Sequence, residues 1–78
     1  MYEVVFYYFE EERDAFKLIK RLKDANVQCN MIISKGIFKV NYGFFESKIE
    51  AENEIKKLIE AGFNPHLCYD ASLLDAAR

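Results

Sequence analysis

The sequence contains one segment twice, and the two copies are offset by 36 residues. Residues 2–28 align with residues 38–64 without a gap and give eight identical pairs. These pairs are Val4/Val40, Phe9/Phe45, Glu10/Glu46, Ala15/Ala51, Ile19/Ile55, Lys20/Lys56, Leu22/Leu58 and Ala25/Ala61. A segment repeated at this period is one supersecondary unit used twice, so we expect the two halves to share one local structure.

The first copy has the pattern of a strand, a helix and a second strand. Residues 2–8 are rich in β-branched and aromatic side chains, which are typical of strands. Apolar side chains then recur at helical spacing between Glu11 and Ala25. They are Ala15, Ile19 and Leu22. Asn26 follows at the position where a helix commonly ends in a left-handed conformation.

The second copy repeats this order with clearer helix signals. Ser47 and Glu50 have the spacing of a capping box, and Gly62 is expected to end the helix. The expected buried stripe is Ala51, Ile55 and Leu58, widened by Ile59. We expect a last strand from Phe63. Between the copies, strands over 27–33 and 37–42 flank Ser34-Lys35-Gly36, which predicts a hairpin.

The element order βαββαβ predicts an α+β fold. Two right-handed β-α-β halves joined by a hairpin give a two-layer, ferredoxin-like sandwich with both helices on one face. The expected strand order in the antiparallel sheet is 4-1-3-2. We expect one domain over residues 1–70, followed by a tail or short helix over 71–78, with Leu73 and Leu74 available to cover a sheet edge.

Alternation along each strand divides the sheet residues between two faces. Ten positions are expected to face the helices: Val4, Phe6, Val27, Cys29, Met31, Ile33, Val40, Tyr42, Phe63 and Leu67. The opposite face is expected to carry Glu3, Val5, Tyr7, Gln28, Asn30, Ile32, Lys39, Asn41, Asn64, His66 and Cys68.

Composition excludes several classes of function. A chain of 78 residues with a net charge of −2 is too acidic for a dedicated nucleic-acid binder. It has no apolar run long enough for a membrane span and no secretory signal, so we expect it to be cytoplasmic as given, unless it belongs to, or works with, an exported protein. Cys29 and Cys68 would lie on opposite edge strands, so we expect two free thiols. We expect no metal, no cofactor and no catalytic activity.

The face without helices is the natural place for a ligand. Amide side chains together with an aromatic ring suit a sugar polymer or another extended ligand, because amides bond hydroxyl groups and rings stack on sugars. The alternative is a polar face that only meets water. RNA binding is disfavoured, since Phe38 and Tyr42 of the third strand are expected to face the helices.

The residues from Ile37 to Ser47 resemble the signature of the SPOR (sporulation-related repeat) family. The segment IFKVNYGFFES matches an aromatic, a basic residue and Val, followed by Gly, x, Phe, x, Ser. The continuation also matches: Ala51, Ile55, Leu58, Ala61, Gly62 and Phe63. With a similar first repeat, the resemblance covers residues 2–69.

This resemblance implies a module that binds bacterial peptidoglycan. SPOR domains hold glycan strands stripped of their stem peptides on the open sheet face, and they direct division, sporulation or wall-hydrolase proteins to the wall. Alternation along the strands offers seven candidate ligand residues on that face, of which the resemblance carries over Lys39: Val5, Tyr7, Gln28, Asn30, Lys39, Asn41 and His66. The implied structural positions are Phe9, Gly43, Phe45, Ser47 and Gly62, with Gly43 opening the loop before the second helix.

The first strand departs from the family pattern. Val5, Tyr7 and Tyr8 stand where that family usually has Gln, Gly and Ser. The second hypothesis is therefore an intracellular protein–protein or homodimerisation module on the same fold, in which Val5, Tyr7 and Ile32 form an apolar patch. An uncovered edge strand over 27–33 offers another route to association.

Overall fold

The chain forms two β-α-β units in the computed structural model, which describes residues 1–69. The elements are β1 (Tyr2–Phe9), α1 (Glu12–Asp24), β2 (Asn30–Ser34), β3 (Ile37–Phe45), α2 (Lys48–Glu60) and β4 (His66–Tyr69). Both ends of α2 lie 36 residues after the corresponding ends of α1. The repeat in the sequence is therefore a repeat of structure. The tail predicted over 71–78 lies outside the described residues.

The four strands form one antiparallel sheet in the order β2-β3-β1-β4. This is the predicted order 4-1-3-2, read from the other edge, and the α+β class is confirmed. β1 and β3, the first strands of the two copies, lie side by side at the centre. Each β-α-β crossover passes over one of these central strands, which places the helices against the middle of the sheet.

The core lies between the helices and the sheet and is built from repeated positions. Three of the identical pairs, Val4/Val40, Ala15/Ala51 and Leu22/Leu58, are buried in it together with Phe6. The ring of Phe6 contacts two further rings edge to face, those of Tyr42 at 6.2 Å and Phe63 at 6.1 Å. Each copy thus contributes the same three apolar side chains to one shared core.

The predicted apolar stripes of the two helices face the core, except at Ile59. Ile19 and Ile55, a repeated pair, pack against the core as partly buried side chains. Ile59 does not widen the stripe, because more than half of its surface is exposed. It is next to Leu58, which faces the core, and adjacent residues of a helix point in different directions.

Both helices end with the same backbone motif. Asn26 and Gly62 have positive φ values of 59° and 96°. The amide of Val27 donates to the carbonyl of Leu22 at 2.8 Å, and the amide of Phe63 donates to that of Leu58 at 3.0 Å. These are Schellman bonds, which satisfy carbonyls at a helix end. The predicted left-handed ends at Asn26 and Gly62 are confirmed.

The predicted N-cap at Ser47 and the hairpin between β2 and β3 are also confirmed. The Ser47 hydroxyl accepts a bond from the Glu50 amide at 3.4 Å, so Ser47 is the N-cap of α2. In the β2–β3 hairpin, Lys35 and Gly36 have φ values of 50° and 79°. Two successive positive φ values are typical of the type I′ turn, whose twist matches that of paired strands.

Three strand boundaries differ from the prediction by three residues each. β2 begins at Asn30 and β4 at His66, three residues later than expected in each case. The intervening residues 27–29 and 63–65 carry the chain from a helix end into the sheet. β3 continues to Phe45, so Gly43 lies within a strand, opposite Val4, and not in a loop.

The pairing of β1 with β3 contains two irregularities. Val4 pairs with Gly43 but Val5 pairs with Asn41, which leaves Tyr42 as an extra residue in β3. Tyr7 then pairs with Val40, which leaves Phe6 as an extra residue in β1. An extra residue of this kind is a β-bulge, and beyond it the alternation of side chains along the strand is reversed.

The bulge at Phe6 reverses the faces of the last residues of β1. Tyr8 pairs with Lys39, and Tyr7 pairs with the core residue Val40. The ring of Tyr7 lies 4.8 Å from that of Phe9, which packs against the core on the helix side. The prediction that Tyr7 lies on the face without helices is therefore wrong, and Tyr8 takes that place.

The two cysteines are free and lie near opposite edges of the sheet. Cys29 precedes β2 and packs against the core, whereas Cys68 is in β4 opposite Glu3. Burial raises the pKa of the Cys29 thiol, and nearby Lys23 opposes this rise. No helix within residues 1–69 is both long and apolar enough to cross a membrane.

A glycine substitution tests the shared helix ending. We predict that Gly62→Ala lowers the free energy of unfolding by about 1 kcal/mol, because a Cβ is strained at positive φ although it would meet no atom within 4 Å. Gly43→Ala is the control, since its Cβ would meet only the Phe45 ring at 4.0 Å. Urea unfolding measures both, and equal losses would contradict this explanation.

Candidate functional site

The sheet surface opposite the helices is the candidate site, and we call it the open face. Strand register assigns to it Glu3, Val5, Tyr8, Asn30, Ile32, Lys39, Asn41, Phe44, His66 and Cys68. Paired residues of neighbouring strands share a face, so these side chains form rows across the sheet. One row joins Tyr8, Lys39 and Ile32, and the next joins His66, Val5, Asn41 and Asn30.

A charged network occupies the centre of the open face. The Lys39 ammonium lies 2.8 Å from one carboxylate oxygen of Glu3 and 3.1 Å from the other. The side-chain amide of Asn41 donates to Glu3 at 2.7 Å. The Glu3 carboxylate thus has a counter-ion and a hydrogen-bond donor, as a carboxylate that is removed from water requires.

This network bridges residues that are not neighbours in the sheet. Glu3 pairs with Phe44 and Lys39 pairs with Tyr8, while Val5 and Asn41 form a pair between them. The salt bridge therefore passes over the Val5–Asn41 pair. Val5 and Asn41 are fully buried and Glu3 is 4% exposed, although all three face away from the helices.

The orientation of the Asn41 amide is set by its partner. A carboxylate accepts hydrogen bonds and does not donate them, so Nδ2 of Asn41 must point at Glu3. The other atom, Oδ1, is buried and has no hydrogen-bond partner within the described part of the chain. Asn41 thus supports Glu3 from below, and its side chain offers no surface to a ligand.

Exposed side chains surround this centre. Tyr8 is 52% exposed, and Ile32 and Phe44 are also exposed. Burial raises the pKa of the Tyr8 hydroxyl above its ordinary value of 10.0, Cys68 and Glu3 add to the rise, and Lys39 opposes it. Tyr8 is therefore a neutral ring beside a charged network at physiological pH.

The structure brings together most of the predicted ligand residues. Val5, Lys39, Asn41, Asn30 and His66 occupy adjacent positions on the open face, but Val5 and Asn41 lie beneath the salt bridge. The side chains of Val5 and Asn41 therefore form the buried floor of the site.

Two predicted ligand residues lie elsewhere. Tyr7 is on the helix side, for the reason given above. Gln28 precedes β2 and lines a cleft with Tyr42 and with Glu54 of α2. The Tyr42 hydroxyl donates to Glu54 at 3.3 Å, and burial with this contact raises the pKa of Tyr42. Neither Tyr7 nor Gln28 can share a ligand surface with Lys39.

The residues predicted for structure do have structural contacts. Phe9 and Phe45 both pack against the core, and the Phe45 ring stacks on that of Tyr42 at 6.3 Å. Ser47 caps α2, Gly62 ends it, and Gly43 follows the bulge at Tyr42.

Sequence reasoning missed Glu3 and Tyr8 as members of the site. Glu3 and Lys39 occupy equivalent positions of the two copies. Because the predicted strand order places these two strands side by side, the opposite charges could have indicated the salt bridge. No residue type marked the bulge at Phe6 that brings Tyr8 to this face.

The described residues contain no group of three or more His, Cys, Asp or Glu side chains placed to hold a metal ion. Cys68 and His66 are two residues apart on β4, but Cys29 packs against the core near the opposite edge. The open face instead offers a partly covered cation, the amide of Asn30 and the ring of Tyr8 to a ligand that makes hydrogen bonds and stacking contacts.

Substitution of Lys39 tests how much this ion pair contributes to the stability of a fold in which Glu3 is nearly buried. Loss of one partner from a buried ion pair costs about 3–5 kcal/mol, and the 22% exposure of the Lys39 side chain reduces this. We predict that Lys39→Met lowers the free energy of unfolding by about 2 kcal/mol at neutral pH. Lys39 is thus part of the folded framework, and its substitution will not leave the melting temperature unchanged.

The double variant Glu3→Gln/Lys39→Met is the matched comparison. Gln keeps an oxygen that accepts from Asn41 and carries no charge, so it should restore most of the lost stability. Denaturant unfolding of the wild type, both single variants and the double variant gives the coupling free energy. A double variant no more stable than Lys39→Met would show that the charge of Glu3 is not the cause.

The fold resembles that of a known wall-binding domain. The solution structure of the peptidoglycan binding domain of the B. subtilis cell wall lytic enzyme CwlC matches with a TM-score of 0.74. The match covers 88% of this chain and 87% of that domain at 23% sequence identity. No family model and no curated protein sequence matches this chain. The structural match shows a shared fold, and the resemblance to the SPOR family still depends on the sequence motifs.

Proposed function

We propose that this protein is a non-catalytic module that binds the glycan strands of peptidoglycan through the open face. The observation that carries the proposal is the shared fold, over nearly the whole chain, with a domain that binds peptidoglycan. The SPOR-like motif between Ile37 and Ser47 points to the same ligand independently of the fold. In CwlC the corresponding domain belongs to a lytic enzyme and is its binding part.

The open face has the chemistry for a sugar chain. The exposed ring of Tyr8 can stack on the apolar face of a sugar, as aromatic side chains do at many binding surfaces. Asn30 and His66 are exposed on the outer strands and can bond to hydroxyl and acetamido groups. Lys39 lies between them, with part of its side chain accessible.

The salt bridge supports this surface from beneath. It holds Lys39 in one position, so less conformational freedom is lost when a ligand binds. It also neutralises Lys39, so binding at the open face does not depend on a strongly anionic ligand.

Such a module would direct its carrier to places where the wall is being remodelled. Division, sporulation and wall hydrolysis are the processes in which stem peptides are removed from glycan strands. The protein would then act at the wall as part of, or together with, an exported protein.

Substitution of two adjacent tyrosines tests which face of the sheet binds glycan. Tyr8 and Tyr7 are 52% and 56% exposed, but the bulge places them on opposite sides of the sheet. We predict that Tyr8→Ala weakens retention on amidase-treated sacculi at least about fivefold, as expected when an aromatic contact of more than 1 kcal/mol is lost. Tyr7→Ala should bind as the wild type does.

A pull-down at several protein concentrations and moderate salt gives the apparent affinities. Melting curves of both variants show whether the fold is kept. If the wild type is not retained, glycan binding is wrong. If Tyr7→Ala loses binding and Tyr8→Ala does not, glycan binding stands but the open face is not the site.

A partner-binding or homodimerisation module is the second candidate, and the edge strand β2 favours it. Ile33 in β2 is 58% exposed, and the outer edge of β2 is not paired with another strand within residues 1–69. An uncovered edge strand can pair with a strand of another molecule. The predicted apolar patch of Val5, Tyr7 and Ile32 is not formed, because Val5 is buried and Tyr7 lies on the helix side of the sheet.

Sedimentation at high micromolar concentration distinguishes the homodimer from the wall-binding monomer. If β2 edges pair, the wild type will sediment as a dimer and Ile33→Lys as a monomer, because a charge on the edge opposes pairing. A wild type that remains monomeric at these concentrations would remove the homodimer hypothesis.

A further inference from the structure

A second concave surface lies on the other side of β1 from the open-face network. It is a groove of about 560 Å³ between the end of β1, the middle of α1 and the residues that lead into β4. Its walls include Tyr7, Phe9, Lys17, Arg21, Asn64 and His66. The volume is in the range of about 300–1,000 Å³ that ligand sites usually have.

The groove exists because β4 is shorter than β1. The first residue of β4, His66, pairs with Val5, and no strand of the described chain lies beside β1 beyond that point. Residues 63–65 turn toward α1, and the Arg21 guanidinium lies 5.6 Å from the centre of the Phe63 ring. Among residues 1–69, the edge of β1 over residues 6–9 therefore has no partner strand at its β4 side.

This free edge has the length and surroundings for a short extended peptide. Four residues of a strand span about 13 Å, which accommodates a peptide of four or five residues. The rings of Tyr7 and Phe9, 4.8 Å apart, provide an apolar wall beside the edge. A peptide that adds a strand to a free edge gains main-chain hydrogen bonds and places alternate side chains against such a wall.

The charges beside the groove favour an acidic peptide. Lys17 and Arg21 are one helical turn apart on α1, and neither forms a salt bridge within residues 1–69. Asp14 is the one acidic side chain among the groove residues. The groove therefore carries an excess of positive charge, although the net charge of the chain is −2. A positively charged groove is complementary to a carboxylate.

We propose that this groove binds a short extended segment of a protein partner, which pairs with the edge of β1 and directs an acidic side chain toward Lys17 and Arg21. The groove shares His66 with the open face, but the β1 edge, Lys17 and Arg21 do not belong to the proposed glycan surface, so the proposal does not depend on glycan binding. A module with both sites can hold the wall and a partner protein at once.

NMR with a designed peptide tests the proposal. The probe is acetyl-Val-Thr-Glu-Thr-Val-amide, whose Val and Glu side chains share one face of an extended strand, added to the isotope-labelled protein. We expect shift changes in the amides of Tyr7, Phe9 and Lys17. Replacing Glu by Lys in the peptide should abolish them, and methylating alternate backbone nitrogens should do the same, because the methylated nitrogens can no longer donate to β1.

Charge reversal on the helix gives the matched variants. Lys17→Glu should weaken binding about fivefold, as an exposed ion pair permits. Lys20→Glu makes the same charge change on the same helix outside the groove and should leave binding unchanged. Equal weakening by both variants, equal binding of the methylated peptide, or shifts confined to the open face would each overturn the proposal.

Discussion

The pairing of β1 with β3 is the constraint on which the two surfaces of this protein depend. These central strands are the first strands of the two repeats, and together they hold the repeated core residues Val4 and Val40 against the helices. Their two bulges decide which side chains reach the open face. The bulge at Phe6 sends Tyr8 to the same side as Lys39 and turns Tyr7 toward α1. One extra residue thus separates the proposed glycan surface from the proposed peptide groove.

Much of the fold could be predicted from the repeat, because each repeated feature has a local physical cause. The core pairs, the Ser47 cap and the left-handed ends at Asn26 and Gly62 depend on nearby backbone and on apolar burial. The candidate site was predicted less well. Alternation failed at Tyr7, beyond the bulge at Phe6, which no Gly or Pro marks in the sequence, and at Gln28, which precedes β2. The burial of Val5 beneath the salt bridge depends on pairing between distant segments, which local patterns do not contain.

The network of Glu3, Lys39 and Asn41 changes how the open face is interpreted. A lysine that looked available to a ligand is already paired with a nearly buried carboxylate. In the proposed function, the contacts with glycan would then come mainly from the side chains around the network, above all from the ring of Tyr8. This division explains how a strand with Val5 in place of a polar residue can still belong to a binding surface.

The most direct test of this account is an NMR titration of the labelled protein with soluble glycan strands that lack stem peptides. If the open face binds glycan, amide shift changes will concentrate on Tyr8, Lys39 and Ile32, in the row that crosses β1, β3 and β2. The amides of α1 and α2 should change little. Shift changes confined to the helices, with these three amides unmoved by saturating glycan, would contradict it.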